Sequence, residues 1–170
     1  MDEVGSQVDL LVSLLVRYPE IGAVHYEPQE KALRFIYLVR DGEESSDLAF
    51  FPDIYKSHLS IFHKLKKTEP SVNSLKVTHN SQLAVLEIRR DLATLSIEEL
   101  NLSIELLRDC CGAALVREGQ ADAAEDEWEH NDLIEALLAA ASLVGPERLT
   151  GFRQDGRVLV FSMPLAGVSK

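Results

Sequence analysis

A chain of 170 residues with 17 Lys+Arg, 28 Asp+Glu, two Cys and 46% hydrophobic residues is long enough to bury one ordinary core without a disulfide or metal staple. Its net charge of −11 opposes unaided attachment to nucleic acid or anionic lipid, and no apolar run approaches the ~20 residues of a membrane span. The acidic opening Met1-Asp2-Glu3 predicts no signal peptide, so a cytoplasmic protein with neither nucleic-acid nor membrane partners is expected.

Val4, Val8, Leu11, Val12 and Leu15 recur at helical spacing, and Tyr18-Pro19 stops that helix because proline lacks a donor and disfavours the helical conformation before it. Residues 21–27 and 32–40 read as two strands joined by a Pro28-Gln29-Glu30-Lys31 turn. The second, through Leu33, Phe35, Ile36, Tyr37, Leu38 and Val39, is apolar on both faces and predicts an interior position in the sheet. Leu48 to Phe51 reads as a short third strand, after which Pro52 opens a helix to about Lys67 with Asp53 in its first turn.

Residues 75–79 and 83–89 read as a further hairpin about Asn80-Ser81. Ser96-Ile97-Glu98-Glu99 matches a capping box, in which Ser96 caps the free amides and Glu99 reaches back to the cap. The helix it starts ends at Cys111, with Gly112 at the left-handed position beyond. Residues 113–117 suggest a short strand, 118–131 an acidic linker, 131–143 an amphipathic helix, and 148–163 a closing hairpin about Gln154-Asp155-Gly156.

The expected fold class is therefore α+β: an antiparallel or mixed sheet of five to seven strands built from hairpins, with helices packed mainly on one face. Helix-then-hairpin recurs three times, which raises α-β-β pseudo-repeats as an expectation. The domain plan is an αββ-αββ-α core at 1–117, the acidic linker at 118–131, and a C-terminal α-β-β unit at 132–170 packed on the same domain.

Few constellations point to chemistry. Cys110 and Cys111 are adjacent, so a disulfide between them would be strained, and two residues do not separate them as redox pairs require. They read as small side chains packing the last helical turn. His58 and His63, five apart on one helix, point about 140° apart and suit a shared metal poorly. His25 and His79 hold similar places in their hairpins and are expected to approach each other across the sheet. No metal and no cofactor is expected, since no ligand set is complete and no glycine-rich phosphate or dinucleotide loop occurs.

Charge is unevenly spread. Residues 51–90 hold 7 Lys+Arg against 3 Asp+Glu between two acidic flanks, and the block gathers at Lys56, Lys64, Lys66 and Lys67. Lys56, Lys64 and Lys67 are the candidate binding residues for an anionic ligand or partner, or else a solvated face pairing with the protein's own acidic surface. Trp128, alone in the acidic linker, is a candidate anchor for a partner protein.

Glu98 and Asn101 lie three apart on one helix, where a carboxylate and an amide together orient a water for attack on an acyl phosphate. That spacing resembles the Glu-x-x-Asn motif of the CheC and CheX response-regulator phosphatases, and the resemblance implies a phosphatase acting on a phosphorylated protein with Glu98 and Asn101 as its catalytic pair. The Gly and Pro context of that motif is missing after Asn101. The element order over 4–112, with the chain's size and acidity, resembles type III secretion chaperones, small homodimers that hold partner segments on apolar grooves; residues 113–170 have no counterpart in that order.

Helices 4–17 and 131–143 carry more apolar residues than one buried stripe requires. The leading expectation is accordingly a non-catalytic protein-binding or regulatory protein, homo-oligomeric and specifically a homodimer, that works through an apolar interface. A phosphatase and a small anionic-ligand sensor beneath the basic helix are the alternatives.

Overall fold

The computed structural model describes residues 3–40, 47–80, 82–117, 134, 148–154 and 156–163. Helix α1 (Glu3–Arg17) leads into the hairpin β1 (Ala23–Glu27) and β2 (Ala32–Arg40), and helix α2 (Phe51–Lys66) into β3 (Asn73–Asn80) and β4 (Leu83–Asp91). Helix α3 (Ile97–Cys111) follows, and β5 (Arg148–Gln154) with β6 (Arg157–Met163) forms the last hairpin. All six strands join one antiparallel sheet in the order β3-β4-β2-β1-β5-β6, an α+β architecture with helices packed on the sheet.

Register explains which side is covered. Val24 stands opposite Phe35, Phe35 opposite Ile88, and Tyr37 opposite Leu86, so these side chains share one face, and all are buried. Strand alternation puts Arg34, Glu27, Glu87 and Arg89 on the other face, where they form a row of half-exposed ion pairs. Glu27 takes both arginines and is held below the usual carboxylate range by Arg89 and Arg34, against the opposing effect of its own burial.

Helix α1 buries Leu10, Leu11, Leu14 and Leu15 against β5 and its neighbours. It sits close because Gly151 on β5 has no side chain: a Cβ there would come within 3.1 Å of Leu15 and 3.4 Å of Leu11. Past Tyr18-Pro19, Arg153 donates to the carbonyls of Leu15, Tyr18 and Ile21, satisfying acceptors that the helix leaves open.

Several expectations change. Residues 47–50 form a 3-10 turn that runs directly into α2, which starts at Phe51, so there is no third strand at 48–51. The apolar run there supplies helix-entry packing through Leu48 and Phe51. Residues 112–114 form a second 3-10 turn, and 113–117 makes an isolated bridge to β2, Leu115 opposite Val39 with the Val116 amide donating to the Leu38 carbonyl, instead of a strand. Gly112 does take positive φ, at 54°. Ser96 accepts from the Glu99 amide as a cap should, but the Glu99 carboxylate turns inward to Arg90. Ile134 is helical and fully buried; the linker at 118–131, the rest of the helix expected at 131–143, and Asp155 lie outside the described residues.

Candidate functional site

Helix α2 separates two surfaces. Its core side places Phe51, Tyr55 and Leu59 in the interior. At 100° per residue, Lys56, Ser60, His63, Lys64 and Lys67 fall on one flank, and Ile54, His58, Ile61 and Leu65 on the other, about 150° away.

On the first flank α2 and β3 enclose a groove of about 850 Å³ with Tyr55, Leu59 and Leu75 as apolar lining and Lys56, Lys64 and Lys67 among its walls. All three lysines are exposed, and none forms an ion pair among the described residues. The structure thus brings together the three binding candidates of the sequence. Lys66, their neighbour in the same block, turns the other way and pairs with Glu98 of α3 at 2.7 Å. Lys67 ends the helix at φ 59°, ψ 45°, the left-handed conformation that usually selects glycine, and its N–H donates to the carbonyls of His63 and Lys64.

Behind the groove lies a buried polar cluster. Arg90 at the end of β4 is 1% exposed and grips Glu99 with two nitrogens, Nε to Oε2 at 2.5 Å and Nη2 to Oε1 at 2.6 Å. Its Nη1 donates to Asp91 Oδ1 and to the Val72 carbonyl. Asp91 also accepts from the Ser71, Val72 and Thr94 amides and from the Thr94 hydroxyl, which ties the start of β3 and the approach to α3 together. His63 Nδ1 lies 2.6 Å from Thr68 Oγ1 and its Nε2 lies 3.3 Å from Glu99 Oε1, so α2 joins the same cluster. The bidentate pair and the groups bonded to it tie α2, α3 and β4 to one another.

On the second flank, Phe50 is 64% exposed, Ile61 59% and Leu65 77%. With the half-buried Ile54 they make an apolar stripe down α2. Near its N-terminal end lies a shallow notch of about 390 Å³ lined by Phe50, Ile54, His58, Leu106, Asp109 and Cys110. Among the described residues, three of the six exposed large apolar side chains lie at α2 and its entry, whereas α1 buries Leu10, Leu11, Leu14 and Leu15 and leaves Val16 41% exposed; the expected surplus at 131–143 lies outside the described residues apart from the buried Ile134.

Other candidates are dispersed. Glu98 pairs with Lys66, whereas Asn101 accepts from the Tyr18 hydroxyl at 2.7 Å, so the two are engaged by different helices. His25 on β1 and His79 on β3 are separated by β2 and β4, and they do not approach each other as expected; His25 instead contacts Thr150 at 2.9 Å. His58 is exposed and His63 buried, as their angular separation requires. Cys111 is buried and Cys110 packs against the core. Trp128 lies outside the described residues. Among the described residues no three His, Cys, Asp or Glu side chains are grouped to hold a metal, and no helix is long and apolar enough to cross a membrane.

The buried groups set a pH dependence. Burial pushes the His63 imidazole below its ordinary value, with Glu99 pulling it back and Arg90 adding to the fall; burial and Arg34 do the same to His25. The folded chain thus resists protons that the unfolded chain accepts below about pH 6.5. Stability is complete above that pH and is lost as pH falls toward the depressed folded values. Asp91 is held low by its Val72 and Thr94 hydrogen bonds and by Arg90, against its burial, and so adds a loss of the same sign below about pH 4. Urea midpoints should hold level from pH 8 to about pH 7 and fall from there to pH 5, with a shallower fall in His63→Gln. A midpoint that rises on acidification contradicts this assignment.

The chain matches no protein-family model, no curated protein and no solved structure.

Proposed function

We propose that this chain is a non-catalytic binding protein that self-associates through the outer face of α2. The observation that carries the reading is the apolar stripe of Phe50, Ile54, Ile61 and Leu65, three of whose members keep more than half of their surface in water. A soluble monomer gains nothing from such a row, and covering it stabilises an assembly by about 1–2 kcal/mol for each large side chain.

The stripe fits a second copy of itself. Two antiparallel α2 helices related by a two-fold axis between His58 and Ile61 place Leu65 of each beside Ile54 of the other and into its notch. Every contact then occurs twice, which is the property of an isologous interface. Antiparallel packing also sets the opposed helix dipoles side by side.

Light scattering across a concentration series tests the reading. The protein should have the mass of two chains at micromolar concentration, and Ile61→Glu/Leu65→Glu should have the mass of one with an unchanged circular dichroism spectrum. Both positions are exposed, so the fold tolerates the charges. A single-chain mass for the unmodified protein at all concentrations, or a two-chain mass for the variant, overturns it.

A further inference from the structure

We infer that the groove between α2 and β3 is a docking site for an extended acidic polypeptide segment, which enters as a seventh strand against β3. The site lies on the flank of α2 opposite the apolar stripe, so it goes beyond the self-association reading and does not depend on it.

Backbone geometry is the first support. Among the described residues strand β3 ends the sheet and pairs only with β4. The Asp91 amide donates to the Val72 carbonyl, which fixes the phase of the ladder: even-numbered residues of β3 turn their amides and carbonyls toward β4. Asn73, Leu75 and Val77 therefore aim theirs away from the sheet. Such an edge is the surface on which strand addition occurs. Asn73, Ser74 and Leu75 at the start of β3 also line the groove, so a strand added here meets it at that end.

Side-chain chemistry is the second. A strand paired with β3 sends alternate side chains to the helix side of the sheet, where Leu59, Tyr55 and Leu75 offer apolar contact and Lys56, Lys64 and Lys67 offer positive charge. Glu69 is the one acidic lining residue against these three lysines. The −11 charge of the whole chain does not cancel this local field, because exposed charges more than about 8–10 Å away are largely screened at physiological salt. The matching ligand is a segment with carboxylates and β-branched residues in alternation. Nucleic acid supplies the negative charge without the amides and carbonyls that the strand edge pairs with.

Fluorescence anisotropy with a labelled ten-residue peptide of alternating Glu and Val tests the site on the full chain. The peptide should bind, with affinity falling at least about 10-fold between 50 and 300 mM salt, and a Lys-Val peptide should not bind. Lys56→Gln/Lys64→Gln/Lys67→Gln should weaken binding at least 10-fold, and the same peptide N-methylated at alternate residues should lose it. Leu65→Glu should bind the peptide as the parent does, which separates failure of this site from failure of the self-association reading. Equal binding of the Lys-Val peptide, an unaffected triple variant, full binding of the N-methylated peptide, or a labelled oligothymidylate binding as tightly as the Glu-Val peptide overturns the inference.

Discussion

Arg90→Met should lower the free energy of unfolding by about 3–5 kcal/mol, a large share of the 5–15 kcal/mol that holds most domains together. Arg90 is 1% exposed, and its guanidinium is the bidentate partner of the equally buried Glu99. Removing it leaves a carboxylate in the interior beside His63, takes a donor from Asp91, and takes one of the two donors from the Val72 carbonyl, which keeps the Asp91 amide. Much of the loss is the cost of that stranded charge, so Arg90→Met/Glu99→Met should recover more than half of it. Urea denaturation at pH 7 measures both. A loss under 1 kcal/mol in the single variant contradicts the claim that this pair fixes α2 and α3 to the sheet.

Phe35→Ala should cost a similar ~3–5 kcal/mol for a different reason. Phe35 is 1% exposed at the centre of β2, between Val24 on β1 and Ile88 on β4. Truncation loses the transfer energy of the ring and opens a cavity that the surrounding strands, fixed by their ladders, are poorly able to close. Phe35→Leu retains most of the volume and should cost less than half as much. Equal losses in the two variants would show that the site relaxes freely and that the sheet centre is not tightly packed.

Much of this architecture was legible because local signals agreed with one another. The continuous apolar run at 33–39 marked an interior strand, and β2 does lie between β1 and β4. Pro52 and Asp53 marked the start of α2, and Ser96 the start of α3. The run at 48–51 misled because four apolar residues bounded by polar ones look alike in a strand and in the first turn of a buried helix. The groove lysines were visible as a charge block, whereas the groove was not, because β3 is far away in sequence from the start of α2 and periodicity does not reveal their separation.

The buried cluster went unread, although one signal was present. Ala84, Leu86 and Ile88 alternate inward on β4, and the same parity places Arg90 inward as well. An arginine at a core position demands a buried carboxylate, and Glu99, already engaged through its amide by the Ser96 cap, was the available one. The apolar stripe on α2 is not legible for the opposite reason: its residues count toward an ordinary amphipathic helix until their exposure among the described residues is seen.

The self-association reading has a definite register, and a cross-link reads it directly. With the axis between His58 and Ile61, His58→Cys/Ile61→Cys places the new thiol of each copy opposite that of the other. Mild oxidation should convert this variant almost completely to a disulfide-linked pair of chains, while the unmodified protein, whose Cys111 is buried and Cys110 half-buried, should remain uncrosslinked. A variant that stays as single chains under oxidation, at concentrations where its free thiols are shown to react with a small alkylating agent, would contradict an α2-to-α2 interface.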